Sequence, residues 1–153
     1  AQNVREVLAE EGIVKERIIS WAGRCEVHDR LTQESIRELR AVHPNILVLA
    51  HKECNEEVRA AADMVGGTGE MKKYISSSLN KEFMIVTECG TTAHFQQQFP
   101  DRRFLGNCIE CKYMHFNDIF TVYTALERES PTIEVLEPIR SKAQTALERM
   151  LAF

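Results

Sequence analysis

The stretch ILVLAHKECNEEV, residues 46–58, decides the fold class of this chain. Its first five residues form a continuous apolar run, which is typical of a strand buried on both faces in a parallel sheet. Residues 55–64 then return to helical periodicity, with Glu56 and Glu57 in the first turn, where the helix dipole favours acidic side chains. A buried strand followed directly by a helix predicts an α/β fold.

The same alternation continues on both sides of this stretch. Upstream, Thr32 is a good N-cap for a helix whose buried stripe contains Ile36, Leu39 and Val42, and Pro44 ends that helix. Further strands are predicted at residues 17–21, 64–65, 83–86 and 103–105. Strands that alternate with helices imply a parallel sheet with right-handed crossovers. The sequence therefore predicts a three-layer αβα arrangement with a short parallel sheet.

Three segments follow from this pattern. Residues 1–30 are interpreted as the end of a preceding α/β repeat, and residues 31–110 as one complete αβα repeat. Residues 111–153 are predicted to be C-terminal helices that close the core, with Asn117 capping the first and Pro138 in the first turn of the last. The chain also lacks a start methionine, so we expect part of a longer protein.

The composition excludes several classes of protein. With 153 residues, 44% of them hydrophobic and 27% charged, the chain can bury the core of one compact domain. A formal net charge of −4 gives no basic footprint for nucleic acid. An apolar run of about 18 residues, which a membrane span needs, does not occur. The N-terminal stretch has no signal-peptide pattern, so a cytoplasmic location is expected.

Polar residues follow each predicted strand, at the point where the strand ends. In chain order they are Cys25 and His28, His51 and Glu53, Gly67 and Thr68, Thr87 and Glu88, and Cys108 and Cys111. Ligands of open parallel sheets bind outside the carboxyl ends of the strands. The sequence therefore predicts a binding or catalytic site at this edge.

The five cysteines have competing interpretations. An odd number in a chain of cytosolic character argues against a disulfide framework. Cys54 and Cys89 are interpreted as buried or helix-start thiols, because free cysteine packs as a small hydrophobic residue. Cys108 and Cys111 form a CxxC, whose spacing lets two thiolates meet one metal or cluster. The chain has no second CxxC for a zinc site, and this one does not open the first helix of a βαβ unit.

Two loops are candidates for anion binding. His51 and Glu53, at the end of a strand, suit anion binding and proton transfer, although a structural role remains open. Residues 66–69 form a glycine-rich loop that meets a helix N-terminus, where free N–H groups attract carboxylate or phosphate. A plain tight turn is the alternative for this loop.

Five segments taken together resemble the quinolinate synthase family. They are WAGRCEVHDRLT (21–32), ILVLAHKECNEEV (46–58), ADMVGGTGEMKKYI (62–75), FMIVTECGTTAHFQQQFPDRRF (83–104) and CKYMHFNDIFTVYTALE (111–127). The resemblance implies three similar αβα domains around a pseudo-threefold axis, each giving one cysteine to a 4Fe-4S cluster. It also implies a transferase that condenses iminoaspartate with dihydroxyacetone phosphate to quinolinate, the precursor of NAD, with the open iron of the cluster as Lewis acid.

The resemblance also assigns cluster ligands by position. Cys25 and Cys111 match the ligands of the second and third domains, with Cys108 as an alternative thiol. His28 and Glu88 are interpreted as supporting residues behind the site. The third ligand would come from a missing N-terminal domain or a partner chain, so the chain alone is expected to be inactive. An aspartate-oxidising enzyme is the expected upstream partner.

For the substrate, His51 and Glu53 match a His-Pro-Glu motif that holds a substrate carboxylate and is placed for acid–base work. Thr68 matches the threonine of a Gly-Ser-Thr loop that binds the same anion. The chain departs from these motifs, because Lys52 stands where the family has proline and Gly67 where it has serine. The expected substrate contacts are therefore His51, Lys52, Glu53, Gly67 and Thr68, with backbone N–H groups doing more of the anion binding.

Two rival functions remain open at this point. The first is a non-catalytic α/β module that binds a small dicarboxylate or phosphate through His51, Glu53 and Thr68, without a cluster. The second is a zinc or redox protein centred on Cys108 and Cys111. The two differ in whether the thiols matter, because only the second requires a cysteine for its function.

Overall fold

The computed structural model describes residues 4–5, 8–9, 12, 23–106 and 108–152. The predicted strand at residues 17–21 lies outside the described residues. The chain divides into two compact units, residues 1–112 and 113–153. The finer division into a preceding repeat, a complete repeat and closing helices stays a prediction.

Strands and helices alternate through the described part of the first unit. The strands are β1 (Leu47–His51), β2 (Met64–Gly66), β3 (Glu82–Val86) and β4 (Arg103–Leu105). The helices are α1 (Glu26–Asp29), α2 (Gln33–Val42), α3 (Glu56–Ala61), α4 (Thr68–Ser77) and α5 (Cys89–Gln98). Each strand lies within about one residue of its predicted position, so the α/β prediction is confirmed.

The four strands form one parallel sheet in the order β2-β1-β3-β4. Leu49 at the centre of β1 pairs with Met64 on one side and with Ile85 on the other. Because β1 and β3 are interior strands with both edges paired, their side chains are nearly all buried, as the continuous apolar runs predict.

Helices cover both faces of this sheet. Alternate side chains of β1 point to opposite faces, with Val48 and Ala50 in one core cluster and Leu49 in the other. The first cluster also contains Ile36 of α2 and Val58 of α3. Members of the second come from α4, α5 and the strands, and they are Met71, Ile75, Phe83, Ile85 and Phe95. These three layers confirm the αβα prediction.

The strand order creates a crevice between β1 and β3. The chain leaves β1 through α3 on one face towards β2, and it leaves β3 through α5 on the other face towards β4. The loops after these two neighbouring strands therefore diverge to opposite faces. Doubly wound sheets bind their ligands at such a switch point, outside the carboxyl ends of the strands.

Helix α2 confirms its predicted cap but not its whole buried stripe. The Thr32 hydroxyl accepts a hydrogen bond from the Ser35 backbone N–H at 3.4 Å. Ile36 is buried and Leu39 half-buried, but Val42 is 74% exposed, so the prediction for Val42 was wrong. Two steps of three residues rotate the side chain by about 120° from Ile36, because an α-helix has 3.6 residues per turn.

The second unit contains a 3₁₀ turn at Met114–Phe116 and two helices, α6 (Ile119–Arg128) and α7 (Glu137–Leu151). Asp118 caps α6 by accepting from the Thr121 N–H at 2.7 Å, so the prediction of Asn117 as cap was wrong by one residue. Several apolar side chains of these helices are exposed. No helix in the described part of the chain has the length and apolar character to cross a membrane.

Candidate functional site

His28 lies at the crevice between the ends of β1 and β3. It is only 5% exposed, and its Nε2 is 2.9 Å from the hydroxyl of Thr87, the residue that follows β3. Its ring stacks on that of His51, the last residue of β1, with centroids 4.6 Å apart. A residue of α1 is thereby fixed against both strand ends at the switch point. Sequence analysis placed His28 at this edge and missed Thr87 as its partner.

Glu53 approaches the same two histidines from the loop after β1. The Glu53 N–H donates to His51 Nδ1 at 3.3 Å, so a neutral His51 carries its proton on Nε2. A carboxylate oxygen of Glu53 lies 3.1 Å from His28 Nδ1, which is ion-pair distance, but His28 Nδ1 has no well-aligned hydrogen bond. The Glu53 side chain is 58% exposed, so it also faces solvent.

The surroundings of His28 favour its neutral form. Burial lowers the pKa of His28 below its usual 6.5, and the neighbouring His51 lowers it further, while Glu53 opposes both effects. A neutral ring can stack closely on His51 without charge repulsion. It also keeps one nitrogen lone pair available in the crevice.

Cys25 completes a group of three donor side chains at this position. It precedes α1, and its thiol is free and half-buried. The sulfur, a ring nitrogen of His28 and a carboxylate oxygen of Glu53 all lie within 4.8 Å of one another. The structure therefore brings together three of the residues that the sequence placed at this edge.

The loops after β1 and β2 are joined by a carboxylate that sequence analysis missed. Glu70 accepts from the Gly67 N–H at 2.7 Å and pairs with Lys52 Nζ at 2.7 Å. The Gly67 hydrogen bond and, after it, the Lys52 contact lower the pKa of Glu70. The spacing of Gly67 and Glu70 is that of a capping box, which could have revealed this contact. Thr68 is exposed at the first position of α4.

The segment after β4 returns to the end of β3. Ile109 forms a parallel bridge with Glu88, and the Cys89 N–H donates to the Ile109 carbonyl at 3.2 Å. This pairing brings Cys108 against Cys89, and the two form a disulfide with their Cα atoms 4.9 Å apart. The sequence argued against a disulfide framework, and this one pair departs from that expectation. Cys89 does begin α5 as predicted, but its thiol is not free.

Glu88 has a structural contact of its own. Its side chain caps α5 by accepting from the Gly90 N–H at 2.7 Å. A Cβ at residue 90 would lie 2.9 Å from the same carboxylate oxygen, so glycine fits this position. The carboxylate of Glu88 is thus engaged in a helix cap, and the predicted supporting role behind the site stays a prediction.

Comparison with known proteins decides the family. The family model described as "Quinolinate synthetase A protein" matches residues 1–152. The chain belongs to this family. It is 39% identical over 137 residues to quinolinate synthase 1 of Mesorhizobium japonicum, covering 90% of this chain and 42% of the relative. It is 38% identical over 136 residues to the quinolinate synthase of Xylella fastidiosa, covering 89% and 40% respectively. The chain thus spans about two fifths of these relatives' length.

The five cysteines differ in whether their thiols are available to ligate a metal cluster. Cys25 and Cys111 are free and half-buried, and the residues that follow them meet through a Lys112–Glu26 ion pair of 3.5 Å. Cys54 is buried, donates to the Val86 carbonyl at 3.4 Å, and has its pKa raised by burial to about 11, as a core thiol should.

Cys108, the alternative ligand, has its sulfur in the disulfide with Cys89. Cys25 and Cys111 therefore keep free, half-buried thiols, which is the chemistry that a cluster ligand requires.

Proposed function

We propose that this chain is part of a quinolinate synthase and forms one wall of a site that condenses iminoaspartate with dihydroxyacetone phosphate in NAD biosynthesis. Two observations together support the proposal, the family match and the clustering of the assigned residues at the crevice between β1 and β3. Cys25, His51 and Glu53, which the family resemblance assigns to ligand and substrate roles, lie around that crevice together with His28.

Anion binding is the first role we assign to this wall. Both substrates are anionic, and the N-terminus of α4 offers the Thr68 hydroxyl and the N–H groups of a helical first turn. Lys52 places a cation beside this turn, and its ammonium group forms an ion pair with Glu70. An incoming carboxylate or phosphate would compete with Glu70 for Lys52, so binding would exchange one ion pair for another.

Proton transfer is the second role. The condensation removes water and phosphate, and each loss needs a proton delivered to the leaving oxygen. His51 would donate from Nε2, because its Nδ1 is held by the Glu53 N–H. Glu53 would accept protons, since its carboxylate is exposed to the crevice and close to both rings.

Cys25 and Cys111 would hold a 4Fe-4S cluster with a thiolate from the N-terminal part of the protein or from a partner chain. Such a cluster supplies a Lewis acid that polarises a substrate oxygen. The chain alone would then be inactive. We also propose a cytoplasmic location and an upstream enzyme that oxidises aspartate, because iminoaspartate is the product of that reaction.

The test uses the complete protein under anaerobic conditions, with quinolinate formation measured beside iron and sulfide content. His51→Ala and Glu53→Ala should each lower the rate by about 10²-fold or more, since positioned acids and bases contribute that much. Cluster content should stay at the wild-type value. His94→Ala, which alters an exposed histidine on α5, is the matched control. Loss of iron in the His51 or Glu53 variants would instead assign them a structural role.

A second candidate is a module that binds a dicarboxylate or phosphate without catalysis. The pairing of Lys52 with the first turn of α4 favours it, because this feature involves no thiol. This candidate expects Cys25→Ser and Cys111→Ser to leave affinity for succinate or inorganic phosphate unchanged. A large loss of affinity in either variant would contradict it.

A further inference from the structure

We propose that Cys25, His28 and Glu53 form a mononuclear site for a divalent transition metal, Zn²⁺ by its donor set, in protein that carries no cluster. The three donor atoms lie within 4.8 Å of one another, so small side-chain adjustments bring them to one ion. One sulfur, one nitrogen and one oxygen are the ligand types that Zn²⁺ accepts. Three protein ligands would leave a fourth position open to water or an anion.

The burial and orientation of His28 support this proposal independently of the distances between the three donor atoms. Its side chain is 93% buried, since only 7% of it is exposed, and the Glu53 carboxylate 3.1 Å from its Nδ1 is not aligned for a hydrogen bond. Buried polar atoms without a partner are rare because they lose their hydration without compensation. A metal ion between His28 Nδ1 and Glu53 would satisfy the nitrogen.

Thr87 supplies the contact that usually accompanies a metal-binding histidine. Its hydroxyl lies 2.9 Å from His28 Nε2, so Nε2–H can donate to it and leave the Nδ1 lone pair facing Glu53. Metal-ligating histidines almost always donate their other N–H to an oxygen, which fixes both tautomer and ring orientation. The ring is therefore oriented for a ligand at Nδ1 before any ion binds.

The mononuclear site and the proposed cluster share Cys25 and nothing else. A cluster requires Cys111, whereas the mononuclear site requires His28 and Glu53. Variants at Cys111 and at Glu53 therefore report on the two sites separately. The inference does not rest on quinolinate synthesis, and failure of one proposal leaves the other intact.

The experiment titrates Co²⁺, as a coloured substitute for Zn²⁺, into the intact protein, reduced and free of iron under anaerobic conditions. We expect one ion per chain, a thiolate-to-Co²⁺ charge-transfer band, and displacement by Zn²⁺. Cys25→Ser should remove that band. Glu53→Gln and His28→Gln should each weaken affinity by at least about tenfold, since even outer partners of a ligand have effects of that size.

The controls are Cys111→Ser and Glu57→Gln, which should both keep the affinity of the unaltered protein. His28→Gln removes a buried ring and requires a check of folding by circular dichroism. Glu53→Gln changes a largely exposed side chain and tests the proposal even if His28→Gln unfolds. Equal loss of Co²⁺ in Cys111→Ser and Cys25→Ser, or unchanged affinity in Glu53→Gln, would overturn the mononuclear site.

Discussion

The two ends of the parallel sheet use polar side chains differently. At the amino ends of the strands, oppositely charged groups hold each other in place. Asp63, just before β2, pairs with Arg40 at 2.8 Å and accepts from the Val48 N–H at 2.7 Å. Glu82, the first residue of β3, pairs with Arg103 at 2.7 Å. These contacts connect neighbouring strands and helices, so the positions of these charged side chains have a structural explanation.

At the carboxyl ends of β1 and β3, ionisable side chains converge on one another, and one buried nitrogen among them lacks an aligned hydrogen bond. Two histidine rings stack beside a carboxylate and a thiol, and His28 Nδ1 has no aligned donor or acceptor. Such an arrangement costs stability unless a ligand uses it, because buried polar atoms need partners. The comparison therefore separates charged groups whose contacts explain their positions from groups for which we propose a chemical role.

The largest expected difference concerns thiols at the carboxyl end. Cys54 should resist alkylation by iodoacetamide, because raising its pKa from 9.0 to about 11 leaves about a hundredfold less thiolate at pH 8. Cys25 and Cys111, half-buried and free, should be labelled first, and Cys89 and Cys108 only after reduction. Timed labelling followed by peptide mass spectrometry measures the order. Labelling of Cys54 as fast as Cys25 would show that Cys54 belongs with the site.

The next prediction concerns the charged contacts at the amino ends of the strands. Asp63→Ala should lower the free energy of unfolding by about 2 kcal/mol, because it removes a charged acceptor from both Val48 N–H and Arg40. Urea denaturation measures this loss. The control is Glu34→Ala, which removes an exposed ion pair with Arg37 and should lower the free energy of unfolding by less than about 1 kcal/mol. Quinolinate formation per folded molecule of the complete protein should not change. A loss of activity at unchanged stability would extend the functional site to this end.

Local patterns were enough to predict the fold. The apolar run that begins at Ile46 gave β1, and the Thr32 cap gave the start of α2, because both depend on neighbouring residues in the chain. The order of polar residues after each strand also predicted that several of these side chains would lie near one another at the carboxyl edge. Parallel strands bring such positions together whatever the details of their side chains.

The contacts between those polar residues could not be predicted. The Cys89–Cys108 disulfide depends on a bridge between Glu88 and Ile109, and strand register across a separation of 19 residues leaves no local signal. The engagement of His28 with Thr87 spans 59 residues and depends on how α1 packs. The position of each group along its strand end was predictable from the chain, whereas its contact partner depends on tertiary packing.

Thr87→Val tests whether His28 is held from β3. The substitution leaves His28 Nε2 without its oxygen partner, and a buried polar atom left unpaired costs about 1–2 kcal/mol of stability. Urea denaturation should show this loss for Thr87→Val and a smaller one for Thr87→Ser, which keeps a hydroxyl. Equal stability of Thr87→Val and the unaltered protein would mean that His28 is oriented by His51 and Glu53 without help from Thr87.

The smallest effect belongs to Glu70, whose carboxylate accepts from the Gly67 N–H and pairs with Lys52. The Gly67 N–H and then Lys52 lower its pKa in the folded state, so its contribution to stability is complete above pH about 4.5, its ordinary pKa. That contribution is lost as the pH falls through the lowered pKa. Glu70→Gln should therefore unfold slightly more easily than the unaltered protein at pH 7, and the difference should shrink in acid. Urea denaturation at pH 7 and at pH 3.5 measures both. If the stability difference between the two proteins grew in acid, Glu70 would stabilise the fold in its protonated form. The ion pair with Lys52 would then contribute little, and Lys52 would be available to bind an anion.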